Sequence, residues 1–96
     1  MSKELFELMK KSKLFLENMN DTFGEWLLYV SAKNGMTTFN SWGIGKGYET
    51  KEICLVDMTD FICWELDSLG IKYQLSYFPE TPRTSAYYNI KKLKDE

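Results

Sequence analysis

Apolar residues recur at helical spacing at the start of the chain and give way to strand-like alternation further on. Leu5, Leu8, Met9, Phe15, Leu16 and Met19 fall on one stripe of a helix from Ser2 to about Asn18, with Lys3, Lys10, Lys11 and Glu17 off that stripe. Ser2 is the expected N-cap, and Glu4 stands in the first turn, where a negative charge meets the positive end of the helix dipole. Asn18, Asn20 and Asp21 then break the pattern. The run Phe23 to Ser31, with Trp26, Leu27, Leu28, Tyr29 and Val30, predicts a strand. Asn34-Gly35 follows, and both residues tolerate the positive φ of a type I′ hairpin turn, so Met36 to about Trp42 reads as the return strand.

Gly43, Gly45 and Gly47 interrupt the alternation, after which Tyr48 to Val56 recovers a strand. Asp57 to Gly70 predicts a second helix, capped by Asp57 or Thr59 and stopped by Gly70. At ~100° per residue its stripe is Leu55, Met58, Ile62, Leu66 and Leu69. Asp57, Asp60, Trp64 and Asp67 fall opposite, and Glu65 falls at the stripe's margin, within reach of a lysine from the first helix. Ile71, Tyr73, Leu75 and Tyr77 alternate with Lys72, Gln74 and Ser76 as a half-buried strand. Pro79 to Ser85 is a loop, Ala86 to Lys92 a last strand, and the residues after it a frayed tail. The expected fold is α+β, in the order α-β-β-β-α-β-β, with two helices on one face of an antiparallel sheet of four to five strands.

Length makes this one domain, residues 1–96, since 96 residues at 44% hydrophobic content support a single modest core. Aromatic residues make up 16% of the chain and allow that core to be dense. A net charge of -2 gives no bulk attraction to nucleic acid or membrane, but the charge is unevenly placed. Glu49 to Ser68 holds six acids against one base, a net -5, while Thr81 to Lys94 holds four bases and no acid, a net +4. The N-terminal segment mixes charged with apolar residues, unlike a signal peptide, and no stretch reaches the ~20 apolar residues of a membrane span. Cys54 and Cys63 read as free buried thiols, so the expected setting is the cytoplasm.

The chain has no histidine, which removes Ser-His-Asp and Cys-His catalysis and His-ligated zinc, and two cysteines cannot build a four-thiolate metal centre. Of Asp57, Asp60, Glu65 and Asp67, the first two are better explained by the helix dipole and Asp67 by solvation than by a metal or glycosidase site, and Glu65 by its place at the stripe's margin. Gly43-Ile44-Gly45-Lys46-Gly47 matches neither phosphate-loop pattern and leads into a strand rather than a helix. No metal, cofactor or catalytic residue is expected, and no motif matches a named family.

A tryptophan among carboxylates is the signature of a binding surface. The expected function is a small non-enzymatic protein-binding module. Its face is formed by Asp57, Asp60, Trp64 and Asp67 and joined by Trp42, Lys46 and Tyr48 at the borders of the glycine segment. The expected partner is a protein with a basic surface, such as a nucleic-acid-handling enzyme. By size and composition the chain is what a phage or mobile element would carry to inhibit a host nuclease or defence enzyme. The alternative is a nucleic-acid-binding domain using Arg83, Tyr87, Tyr88, Lys91 and Lys92 as cations and stacking rings. Sheet edges leave homodimerisation open as well.

Overall fold

The structure, a computed structural model, describes residues 3–41 and 47–93. Its elements are α1 (Lys3–Thr22), β1 (Leu27–Lys33), β2 (Met36–Ser41), β3 (Gly47–Thr50), α2 (Leu55–Ser68), β4 (Tyr73–Phe78) and β5 (Tyr87–Lys92). The five strands form one antiparallel sheet in the order β3-β2-β1-β5-β4, so the last hairpin is laid against β1 and the expected α+β architecture is realised.

Register divides the sheet into two faces. Leu28 lies opposite Ser41 and Ile90, and Val30 opposite Phe39 and Tyr88. Leu28, Val30, Phe39 and Ile90 are buried on this face beneath Phe15, Leu16 and Met19 of α1 and Met58, Ile62 and Leu66 of α2. Among the described residues no helix lies over the opposite face. Across its centre Tyr29, Tyr87 and Phe78 form a ladder from β1 through β5 to β4, with ring centroids 4.7 Å apart at each step.

Local chemistry explains the turns. Asn34 (φ 54°) and Gly35 (φ 78°) adopt the left-handed conformations of the expected hairpin turn. Gly70 (φ 73°) ends α2 in a Schellman arrangement: its N–H donates to the Asp67 carbonyl (3.1 Å) and the Ile71 N–H to the Leu66 carbonyl (3.0 Å). Leu66 and Ile71, joined by that bond, are both buried.

Three boundaries differ from expectation. α1 continues through Asn18, Asn20 and Asp21 to Thr22, because burial of Met19 prolongs the packed stripe and Asn20 Oδ1 accepts a hydrogen bond from Lys92 Nζ at 2.7 Å. The first strand therefore begins at Leu27 rather than Phe23. Trp26 is buried just before it, with its carbonyl taking the Lys92 N–H. The apolar run Ile53 to Val56 is not strand. Glu52 N–H closes a turn on Thr50 Oγ1 (3.1 Å), and the Cys54 carbonyl accepts from Met58 N–H (2.9 Å), so Cys54 is the N-cap and Leu55 opens α2 on the same stripe as Met58 and Ile62. Thr59, a candidate cap in the sequence, instead bonds back to the Leu55 carbonyl at 2.8 Å inside the helix.

Candidate functional site

α2 presents two faces. Met58, Ile62, Glu65 and Leu66 turn into the core, whereas Asp57, Asp60, Trp64 and Asp67 are exposed on the solvent side. Trp64 keeps 66% of its surface in contact with solvent. Among the described residues its ring neighbour is Phe61, one helical turn back, at 6.5 Å between centroids. Phe61 is half-buried against the core, so the indole stands on a packed base rather than on a free-swinging turn.

The C-terminal end of this face is tied to β4. The Tyr73 hydroxyl stands near the Cys63 thiol and the Asp67 carboxylate, and its pKa is raised first by burial and then by these two neighbours. Asp67 is exposed, as the sequence suggested, with Tyr73 of β4 as its neighbour. The Cys63 thiol is itself raised, first by burial, with the charges of Asp67 and Asp60 adding to the effect against the lowering contact with Tyr73. Both cysteines are free, as expected, but neither is fully buried: Cys54 is exposed at the start of α2 and Cys63 is half-buried.

Glu65 is not at the margin of the stripe. It is buried to 4% exposure and meets Ser12 of α1, with Ser12 Oγ 3.4 Å from Glu65 Oε2, while the charge of Lys13 on the same helix acts on it as the sequence suggested a lysine would. Helical periodicity alone places residue 65 near the margin. What buries it is the close approach of α1, whose small Ser12, also buried, leaves room for a carboxyl.

The other residues considered in the sequence do not extend the α2 face. Trp42 and Lys46 lie outside the described residues. Tyr48 is half-buried beneath α1 at the β3 edge, 5.1 Å from the Phe39 ring and 5.6 Å from Phe15, and so belongs to the margin of the core. That edge is the far side of the sheet from β4, which Asp67 contacts through Tyr73.

The cation and tyrosine set of the last hairpin is divided between the two faces. Tyr88 and Lys92 stand on the helix-covered side, Tyr88 against Tyr77 at 4.8 Å and Lys92 on Asn20. Tyr87 and Lys91 stand on the open side, where Tyr87 is sandwiched between Tyr29 and Phe78. Both ring faces of Tyr87 are therefore occupied within the protein, which is the cross-strand role such pairs ordinarily have. Arg83 is exposed in the β4–β5 loop, whose turn is pinned by Thr81 Oγ1 accepting the Arg83 (3.3 Å) and Thr84 (3.0 Å) N–H groups.

Comparison of the chain with family models, curated proteins and solved structures finds no match. Among the described residues no three Cys, Asp or Glu side chains converge as metal ligands, and no helix is long and apolar enough to cross a membrane.

Proposed function

We propose that the protein is a non-enzymatic binding module whose α2 face docks onto the basic surface of a protein partner and occludes it. The observation that carries this reading is the exposure of Trp64 on a packed helix, framed by Asp60 and Asp67. An indole held in water on a rigid support is costly to leave uncovered, and tryptophan is enriched among the few residues that dominate interface energy. The flanking carboxylates steer the encounter toward a cationic partner and disfavour anionic ones. Enzymes that handle nucleic acid carry extended basic surfaces, and a small acidic-faced protein that covers one acts as their inhibitor. The chain's size and its aromatic-rich composition suit an inhibitor encoded by a phage or mobile element.

The test compares wild-type protein with Trp64→Ala and with the Asp60→Lys, Asp67→Lys double variant as baits, with and without nuclease treatment. A stoichiometric protein partner is expected to survive nuclease and to be lost from both variants. Trp64→Ala weakens binding by ~2 kcal/mol or more, about 30-fold, while leaving the thermal midpoint close to that of the wild type. Recovery of nucleic acid alone, or a partner held equally by all three baits, would refute the assignment.

A further inference from the structure

The two edges of the sheet are built differently. β3 is four residues long, carries Glu49 and runs into Lys51 and Glu52, a short charged edge of the kind that resists further pairing. β4 runs for six residues, Tyr-Gln-Leu-Ser-Tyr-Phe, with no charge, proline or glycine. Its backbone polarity follows from the register with β5. Lys72 stands one step before the Tyr73–Lys92 pair, opposite Leu93, and the Leu93 N–H donates to the Lys72 carbonyl at 3.0 Å. Hydrogen-bonded pairs alternate in an antiparallel ladder, so Gln74, Ser76 and Phe78 also turn their backbone groups toward β5, and Tyr73, Leu75 and Tyr77 turn theirs toward the free edge. The side chains of these three residues share the helix-covered side with Tyr88 and Ile90. Even so, Leu75 is 44% and Tyr77 54% exposed.

We propose that β4 pairs antiparallel with β4 of a second copy of this chain, about a twofold axis through Leu75. The outward N–H and C=O groups are symmetric about that residue. Leu75 then exchanges both bonds with its own copy, and Tyr73 of each chain does so with Tyr77 of the other, six backbone hydrogen bonds in all. The axis stands perpendicular to the sheet, keeps both helix-covered faces on one side, and covers Leu75 and Tyr77. A register centred on Ser76 would set Tyr73 against Pro79, which has no N–H to donate. Charge also favours an identical partner. No like charges oppose each other along the strand, and Lys72 at the start of each strand is brought beside the end of the other, where Glu80 follows Pro79. The result is a continuous ten-stranded sheet.

Sedimentation equilibrium over a range of concentrations reads the assembly directly. The wild type is expected to be a dimer in equilibrium with monomer. Leu75→Pro is expected to be monomeric with an unchanged near-UV spectrum, because the N–H it removes points away from β5. Register is read independently by oxidation in a Cys54→Ser, Cys63→Ser background. Leu75→Cys meets its own copy at ~5.5 Å between Cα atoms, within disulfide reach, whereas Tyr77→Cys lies about 14 Å from its counterpart. Leu75→Cys should therefore form a covalent dimer and Tyr77→Cys should not. A wild type that stays monomeric at every concentration, a dimer that persists in natively folded Leu75→Pro, or cross-linking through Tyr77→Cys alone would each overturn the proposal.

Discussion

Ser12 Oγ of α1 and Glu65 Oε2 of α2 face each other at 3.4 Å in the interior, and the same hydroxyl lies 2.9 Å from the Met9 carbonyl. One hydroxyl proton cannot serve both acceptors at once. When Glu65 is protonated the conflict disappears, because the carboxylic acid donates to Ser12 Oγ while Ser12 donates to Met9. Burial is the main force pushing the Glu65 pKa up to about 7. Glu17 adds to it, against the lowering effects of the Ser12 hydrogen bond and the Lys13 charge.

Stability should therefore fall as pH rises through the neutral range. The folded state binds a proton at Glu65 more tightly than the unfolded chain does, so folding takes up a proton between the unfolded value near 4.5 and the folded value of about 7. The slope of unfolding free energy with pH is negative in that window, and protonation contributes at most about 3 kcal/mol across it. Glu65→Gln keeps the size and a donor for Ser12 but cannot ionise. Urea denaturation at pH 5, 6, 7 and 8 should show the wild-type midpoint decreasing toward pH 8 and the Glu65→Gln midpoint flat through the window and above the wild type at pH 8. Parallel curves for the two proteins would refute the role given to Glu65.

The same pair marks where the sequence stops being legible. Periodicity gave both helices, a sheet of four to five strands and the order of elements along the chain, because stripes such as Leu5-Leu8-Phe15-Leu16 and alternations such as Tyr73 to Tyr77 are local properties of the chain. Asn34-Gly35 and Gly70 likewise announce themselves, since a positive φ is a requirement of one residue. Whether Glu65 is marginal or buried depends on where a second helix packs, and the residue it meets there, Ser12, is 53 positions away. The neighbour of exposed Asp67, Tyr73, is likewise identifiable only after β4 is placed beside α2. The boundaries at Thr22 and Leu27 moved because tertiary contacts, Met19 in the core and Lys92 on Asn20, outweighed local breaking signals, whereas Leu55 opens α2 because the Thr50 turn closes β3 and the Cys54 carbonyl takes the Met58 N–H. Trp64 was placed on the outer side of its helix by periodicity, but only the position of the neighbouring elements leaves it uncovered.

Gly70→Ala should destabilise the fold without affecting the α2 face. A Cβ at residue 70 meets no atom within 4 Å, so the cost comes from forcing an alanine into φ 73° rather than from a clash. Left-handed backbone costs a non-glycine residue about 1–2 kcal/mol. Thermal unfolding should show a midpoint lowered by several degrees, and Gly70→Asn, which tolerates the left-handed region, should recover part of the loss. An unchanged Gly70→Ala midpoint would mean that the turn relaxes at no cost.

Tyr87 provides the sharpest separation of the protein-binding reading from nucleic-acid binding. It is stacked between Tyr29 and Phe78 on the open face, at 4.7 Å from each. Aromatic pairs contribute about 0.5–1.5 kcal/mol each beyond burial, so Tyr87→Leu, which keeps an apolar side chain but removes two ring contacts, should cost about 1–3 kcal/mol of stability. If the ring instead served to stack a base, its replacement would weaken single-strand binding at a salt concentration where the fold is intact, and neutralising Arg83 and Lys91 would flatten the dependence of that binding on salt. The expected outcome is a lowered urea midpoint, no measurable affinity of either protein for single-stranded oligonucleotides, and unaltered capture of the protein partner. Loss of oligonucleotide binding with an unchanged midpoint would transfer the functional surface from α2 to the open face of the sheet.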